Sequence, residues 1–103
     1  MTFETHNETT VLSGGTCLQG YITIDFDKLV AVFGEPCEGD QYKVDWEWEI
    51  EFDDGTVATV YNWKNGPSYC GEQGLNQYQI KEWHVGGRSR TAVNLVENAL
   101  NIA

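Results

Sequence analysis

Residues 44–52 read V-D-W-E-W-E-I-E-F and alternate without a slip. Val44, Trp46, Trp48, Ile50 and Phe52 take one parity; Asp45, Glu47, Glu49, Glu51 and then Asp53 take the other. Side chains two apart share a face of a β-strand. One face is therefore expected to be an aromatic and aliphatic wall. The other is expected to be a row of carboxylates that stays wet.

Asp54-Gly55 follows, a strong hairpin signal, because a type I' turn needs positive φ at both central residues. A two-residue loop pairs Phe52 with Val57, Ile50 with Thr59, Trp48 with Tyr61 and Trp46 with Trp63. Aromatic pairs of that kind contribute about 0.2–1 kcal/mol each. A three-residue loop with a bulge at Gly55 would instead bring Ala58 and Val60 to the tryptophan face. A shift of one residue changes the face of every partner.

The flanking segments supply the covering elements. C-L-Q-G-Y-I-T-I (17–24) alternates as a strand, and Gly20 within it marks a bulge or a close neighbour. Asp25 stands where a helix N-cap belongs. Phe26, Leu29, Val30 and Phe33 form one helical stripe, which Gly34 and Pro36 end. Residues 37–42 read as an acidic loop. Residues 64–77 form a long glycine-rich loop that Tyr69 and Leu75 are expected to tuck onto the sheet. Residues 78–85 read as a strand with a bulge near Lys81-Glu82. Gly86-Gly87-Arg88 reads as a turn, and Ser89 as the N-cap of a last helix whose wide apolar side carries Ala92, Val93, Leu95, Val96, Ala99 and Leu100. The order is β-α-β-β-β-α. It predicts an α+β fold, an antiparallel sheet with two helices packed on its apolar face. Residues 1–15 are expected to be a flexible tail with room for a short edge strand, His6 solvated within it, and 16–103 a single domain.

Six basic residues stand against 16 acidic ones, a net charge of -10 in 103 residues. Direct nucleic-acid binding needs Lys and Arg to neutralise phosphate, so it is disfavoured, as is an anionic membrane surface. A basic protein partner suits this balance. Cys17, Cys37 and Cys70 lack the spacing of a zinc site or a disulfide framework. The N-terminus has neither a basic region nor an apolar run, so a cytoplasmic protein without signal peptide is expected. An exposed edge strand leaves pairing of two copies open.

Candidate chemistry falls in two places. The acidic strand face offers Asp45, Glu47, Glu49, Glu51, Asp53 and Asp54 as a partner-binding surface. Neighbouring carboxylates lie about 7 Å apart along a strand. An open face gives them all the same environment, whereas catalytic pairs need different ones, so no catalytic role is expected. The second place is Gly86-Gly87-Arg88-Ser89-Arg90 at a helix N-terminus, where an anion is favoured. With Trp63, Tyr69 and His84 alongside, Arg88, Ser89 and Arg90 form an alternative site for a nucleotide. No metal site and no cofactor are expected: Asp53-Asp54-Gly55 lacks the spaced ligands of a calcium loop. An enzyme would need His84 with Cys70 or another cysteine, and His84 reads as a structural histidine.

The segments L-Q-G-Y-I-T-I (18–24), L-V-A-V-F-G-E-P (29–36), D-G-T-V-A-T-V-Y-N-W-K (54–64) and E-W-H-V-G-G (82–87) together resemble small acidic proteins encoded by bacteriophages. The resemblance implies an accessory protein of the infected bacterial cytoplasm, of the class that includes anti-defence and anti-CRISPR inhibitors. The expected function is a non-enzymatic inhibitor. Its carboxylate face would occupy a basic surface on a host nuclease or effector, mimicking nucleic acid.

Overall fold

The structure, a computed structural model, describes residues 2–6 and 15–102. Among these the chain forms β1 (Phe3–Thr5), β2 (Cys17–Thr23), α1 (Phe26–Phe33), β3 (Cys37–Glu38), β4 (Trp46–Phe52), β5 (Val57–Tyr61), α2 (Pro67–Cys70), β6 (Glu82–Gly87) and α3 (Thr91–Leu100). The strands make one antiparallel sheet in the order β1-β4-β5-β6-β2, and β3 pairs the part of β4 that β1 leaves open. The fold is α+β, with α1 and α3 closing the apolar face. No helix among the described residues is long and apolar enough to cross a membrane.

The alternation in β4 puts Trp48, Ile50 and Phe52 in the core with Ile22, Ala58, Val60, Trp83 and Val85. Trp48 and Trp83 meet edge to face at 5.5 Å, and Phe26 packs against both. The indole N–H groups also fix the first helix. Trp48 Nε1 donates to the Gly34 carbonyl just after α1 (2.7 Å), and Trp83 Nε1 donates to the Ile24 carbonyl just before it (3.2 Å). Buried tryptophans need such partners. Trp48→Phe should therefore cost about 2 kcal/mol, from lost ring volume and a lost hydrogen bond. Urea unfolding with an unchanged slope would check it.

The hairpin register differs from the preferred expectation. Phe52 N–H donates to the Thr56 carbonyl and Gly55 N–H to the Phe52 carbonyl. Gly55 has φ of 88°. This is a three-residue loop, with glycine supplying the left-handed residue of the bulge. Trp48 pairs Val60, and Ile50 pairs Ala58. Tyr61 consequently leaves the tryptophan face and stands opposite Glu47.

Other expectations are corrected as well. Gly86 and Gly87 are strand residues rather than a turn, and residues 78–81 precede β6 instead of belonging to it. Cys37 and Glu38 form a short strand rather than loop. The segment read as a tail does supply the short edge strand expected of it: β1 pairs residues 50–52, and Phe3 packs against Phe33 and Phe52. His6 is half-buried, with Nε2 3.2 Å from Glu51. Residues 7–14 of that segment lie outside the described residues. Asp25 holds the N-cap position of α1, but its carboxylate pairs with Lys81 at 2.8 Å instead of capping. Arg90, not Ser89, stands at the N-cap of α3. Tyr69 and Leu75 are exposed rather than tucked in.

Candidate acidic and aromatic site

The sheet face opposite the helices is built from two cross-strand rows. Glu47, Tyr61, His84 and Tyr21 follow one another across β4, β5, β6 and β2. Glu49, Thr59, Gly86 and Leu18 make the adjacent row. This face is not a uniformly wet row of carboxylates. Glu49 is 0% exposed, Asp45 is 7% exposed, and Glu47 and Glu51 are half-buried.

A cavity of about 450 Å³ opens on these rows. Glu47, Thr59, Tyr61 and Gly86 line it from the sheet, Thr16 and Cys17 from one side, and Gly39, Asp40, Val44 and Trp63 from the loops. Gly86 makes room for the Thr59 side chain. A Cβ there would stand 2.5 Å from Thr59 Oγ1 and 3.5 Å from Tyr61 Cε1. A glycine within a strand often marks such a close approach. The volume falls within the range of ligand and anchor pockets. Among the described lining residues none is basic.

The carboxylates here are unlike one another. Burial, the neighbouring Glu49 carboxyl with which it shares a hydrogen bond, and Asp40 push Glu47 up from 4.5 to about 7. Asp40 is held below the usual carboxylate range because its Oδ1 accepts from the N–H groups of Tyr42, Val44 and Lys43, each at 2.9 Å. The expectation of one shared environment is thus corrected. Glu47 can carry or release a proton near neutrality. The folded state holds that proton between about pH 4.5 and 7 while the unfolded chain has released it, so stability falls as pH rises through this window. Glu47→Gln should flatten that fall and unfold at higher urea than the parent at about pH 8.

Cys37, Glu47 and Glu49 bring ligand-type atoms within 4.8 Å of one another, as do Glu4, His6 and Glu51. Sequence spacing showed neither group. The Cys37 thiol donates to the Glu47 carbonyl at 3.1 Å. Burial and the two glutamates push it up to about 11. A metal ligand or nucleophile needs the thiolate, which this site opposes. Brief alkylation at neutral pH should label exposed Cys17 and Cys70 and spare Cys37, with peptide mass mapping as the readout.

Asp45 belongs to a structural node. Its Oδ2 accepts from Asn62 Nδ2 (2.9 Å) and its Oδ1 from Ser68 N–H (3.0 Å). Glu51 meets His6, and Asp53 accepts from the Thr2 hydroxyl. Asp54 is fully exposed, and Thr56, whose N–H reaches its Oδ1 at 2.9 Å, holds it below the usual range. Of the six acids expected to bind a partner, only Glu47 lines the cavity.

The alternative nucleotide set is divided. His84 sits among Tyr21, Tyr61 and Trp63, stacked on the last at 6.4 Å, and burial holds it below the usual histidine range. Arg88 and Ser89 lie at the other end of β6, beside Asp54. Arg88 is four steps along the extended chain from His84, about 13 Å. Arg90 Nη1 donates to the Gln19 carbonyl at 3.2 Å. Tyr69 packs on Tyr42 at 5.4 Å, in an exposed patch where Lys43 and Lys64 sit over aromatic rings.

A scan against protein-family models returns no match, and a search of the curated proteins returns none either.

Proposed function

We propose that this protein is a non-catalytic binding protein that docks a basic protein partner on the acidic and aromatic face around the cavity. The observation that carries the reading is the cavity itself, where Glu47 and Asp40 meet Tyr61 and Trp63 with no basic residue among the described lining. Its surroundings support the reading. Trp63, Tyr42, Tyr69 and Tyr21 are exposed. Tyrosine and tryptophan are the side chains that most often dominate protein interfaces.

The resemblance to phage accessory proteins favours, at the level of class, a defence nuclease or effector of the host as that partner. The contact differs from a phosphate-mimicking row. Buried Glu49 and Asp45 cannot touch a partner, so acidity acts through one pocket and through the long-range field. A nucleotide would bring its phosphates against Asp40 and Glu47, which disfavours the small-anion reading for this cavity.

The test is binding to basic proteins and to arginine- and lysine-rich peptides at graded salt. Selective, salt-weakened binding that Glu47→Lys removes is expected. Binding that ignores target charge, or that Glu47→Lys leaves intact, would sink the reading.

A further inference from the structure

We infer that the cavity is an anchor pocket for one arginine side chain, whose guanidinium lies against Tyr61 and Trp63 and pairs with the Glu47 carboxylate. The inference rests on the partner-binding reading and names the group that fills the pocket. Three features select a guanidinium.

First, the cavity offers both things that a guanidinium uses and an ammonium uses less well. Its planar face stacks on aromatic rings while its edge donates in parallel to a carboxylate. Tyr61 and Trp63 line the cavity with centroids 6.2 Å apart and planes at 76°, so an entering group meets differently oriented ring surfaces. Glu47 lines the same space. The ammonium groups of Lys43 and Lys64 each lie 5.6 Å from the Trp63 ring outside the cavity lining, so a guanidinium there shares the ring with two cations and depends on Glu47 for its charge pairing.

Second, the remaining donors of a guanidinium find acceptors. It carries five N–H groups and accepts none. Beyond Glu47 and Asp40, the lining includes Thr16, Thr59 and Tyr61, residues that carry hydroxyls. The Thr59 hydroxyl covers Gly86, with the Cys17 carbonyl close by.

Third, the pocket gains from a cation in particular. Glu47 and Glu49 hold carboxyl oxygens within 4.8 Å of each other, and Glu49 disfavours ionisation of Glu47. A guanidinium beside Glu47 offsets that repulsion. A neutral ligand of the same shape does not.

The experiment titrates isotope-labelled protein with three blocked peptides, acetyl-Gly-X-Gly-amide, where X is arginine, lysine or citrulline. At about pH 8, where Glu47 is ionised, the arginine peptide should saturably shift the amides of Thr59, Tyr61 and Gly86 and the indole N–H of Trp63. The lysine peptide should bind at least about fivefold more weakly, and the isosteric neutral citrulline peptide should not saturate. Glu47→Gln should weaken the arginine peptide by at least roughly tenfold. Its amide spectrum away from the cavity serves as the control for folding. No saturable shift at these residues, equal binding of citrulline, or an unaffected Glu47→Gln overturns the inference. Two further outcomes separate it from the partner-binding reading. If the arginine peptide binds as described but no basic protein binds through Glu47, the cavity serves a free guanidinium compound and only the partner reading falls. If a basic protein binds through Glu47 but arginine peptides bind no better than lysine ones, only the arginine inference falls.

Discussion

Asn62→Ala is expected to be the most destabilising of the single substitutions considered, at about 4 kcal/mol. Asn62 is 0% exposed and uses both ends of its amide. Its Oδ1 accepts from the N–H groups of Asp45 (2.8 Å) and Trp46 (3.0 Å). Its Nδ2 donates to Asp45 Oδ2 (2.9 Å) and Asn65 Oδ1 (3.1 Å). Truncation would leave two backbone donors without this acceptor and a buried carboxylate with one donor fewer. Each such loss costs about 1–3 kcal/mol when buried. The same node holds the start of β4 and, through Ser68, the start of α2. Urea unfolding followed by tryptophan fluorescence should show the midpoint shift. Asn62→Asp should also destabilise, because it puts a second carboxylate against Asp45. A loss below about 1 kcal/mol in Asn62→Ala would mean that water replaces the node.

The elements that sequence made legible are those whose signals are local. Strict alternation in β4 placed Trp48, Ile50 and Phe52 inside. The stripe from Phe26 to Phe33, closed by Gly34, marked α1. Register was harder because Asp54-Gly55 fits two loop lengths that differ by one residue. That residue decides the site. With the observed loop, Ala58 and Val60 take the core positions, and Tyr61 joins Glu47 across the outer face.

The cavity was hidden for the same physical reason. Its lining comes from four strands and two loops, and no segment contains more than a few of its members. Glu47 and Trp63 were marked by sequence, but in different hypotheses. Thr59, Tyr61 and Asp40 were not marked as site residues; Gly86 was marked only as the start of the helix N-terminus site, and Cys17 only as one of three thiols an enzyme could pair with His84. Gly86-Gly87 continues an alternating run, and glycine in a strand points to a close approach, as it did at Gly20. Gly87 lies under Ala92 of α3 and Gly86 beneath Thr59. Burial of the acids was illegible because it depends on distant chain: Asp45 owes its setting to Asn62, 17 residues on.

Glu47→Lys should weaken the protein partner by about 100-fold while leaving the fold intact. The substitution exchanges the half-buried carboxylate at the cavity wall for an ammonium. That ammonium would lie close to the Glu49 carboxyl, which in the parent chain already sits within hydrogen-bonding reach of residue 47. A like-charge pair becomes an opposite-charge pair, so unfolding resistance at about pH 8 should hold or rise. Binding should move the other way, because an incoming cation meets an ammonium where it had a carboxylate. Charge reversal at Glu49 is the instructive contrast. Its side chain is 0% exposed, so Glu49→Lys should damage the fold itself. A partner affinity that falls in proportion to stability across both variants would assign these acids to the fold alone. A loss confined to Glu47→Lys, in a protein as stable as the parent, would assign Glu47 to the interface.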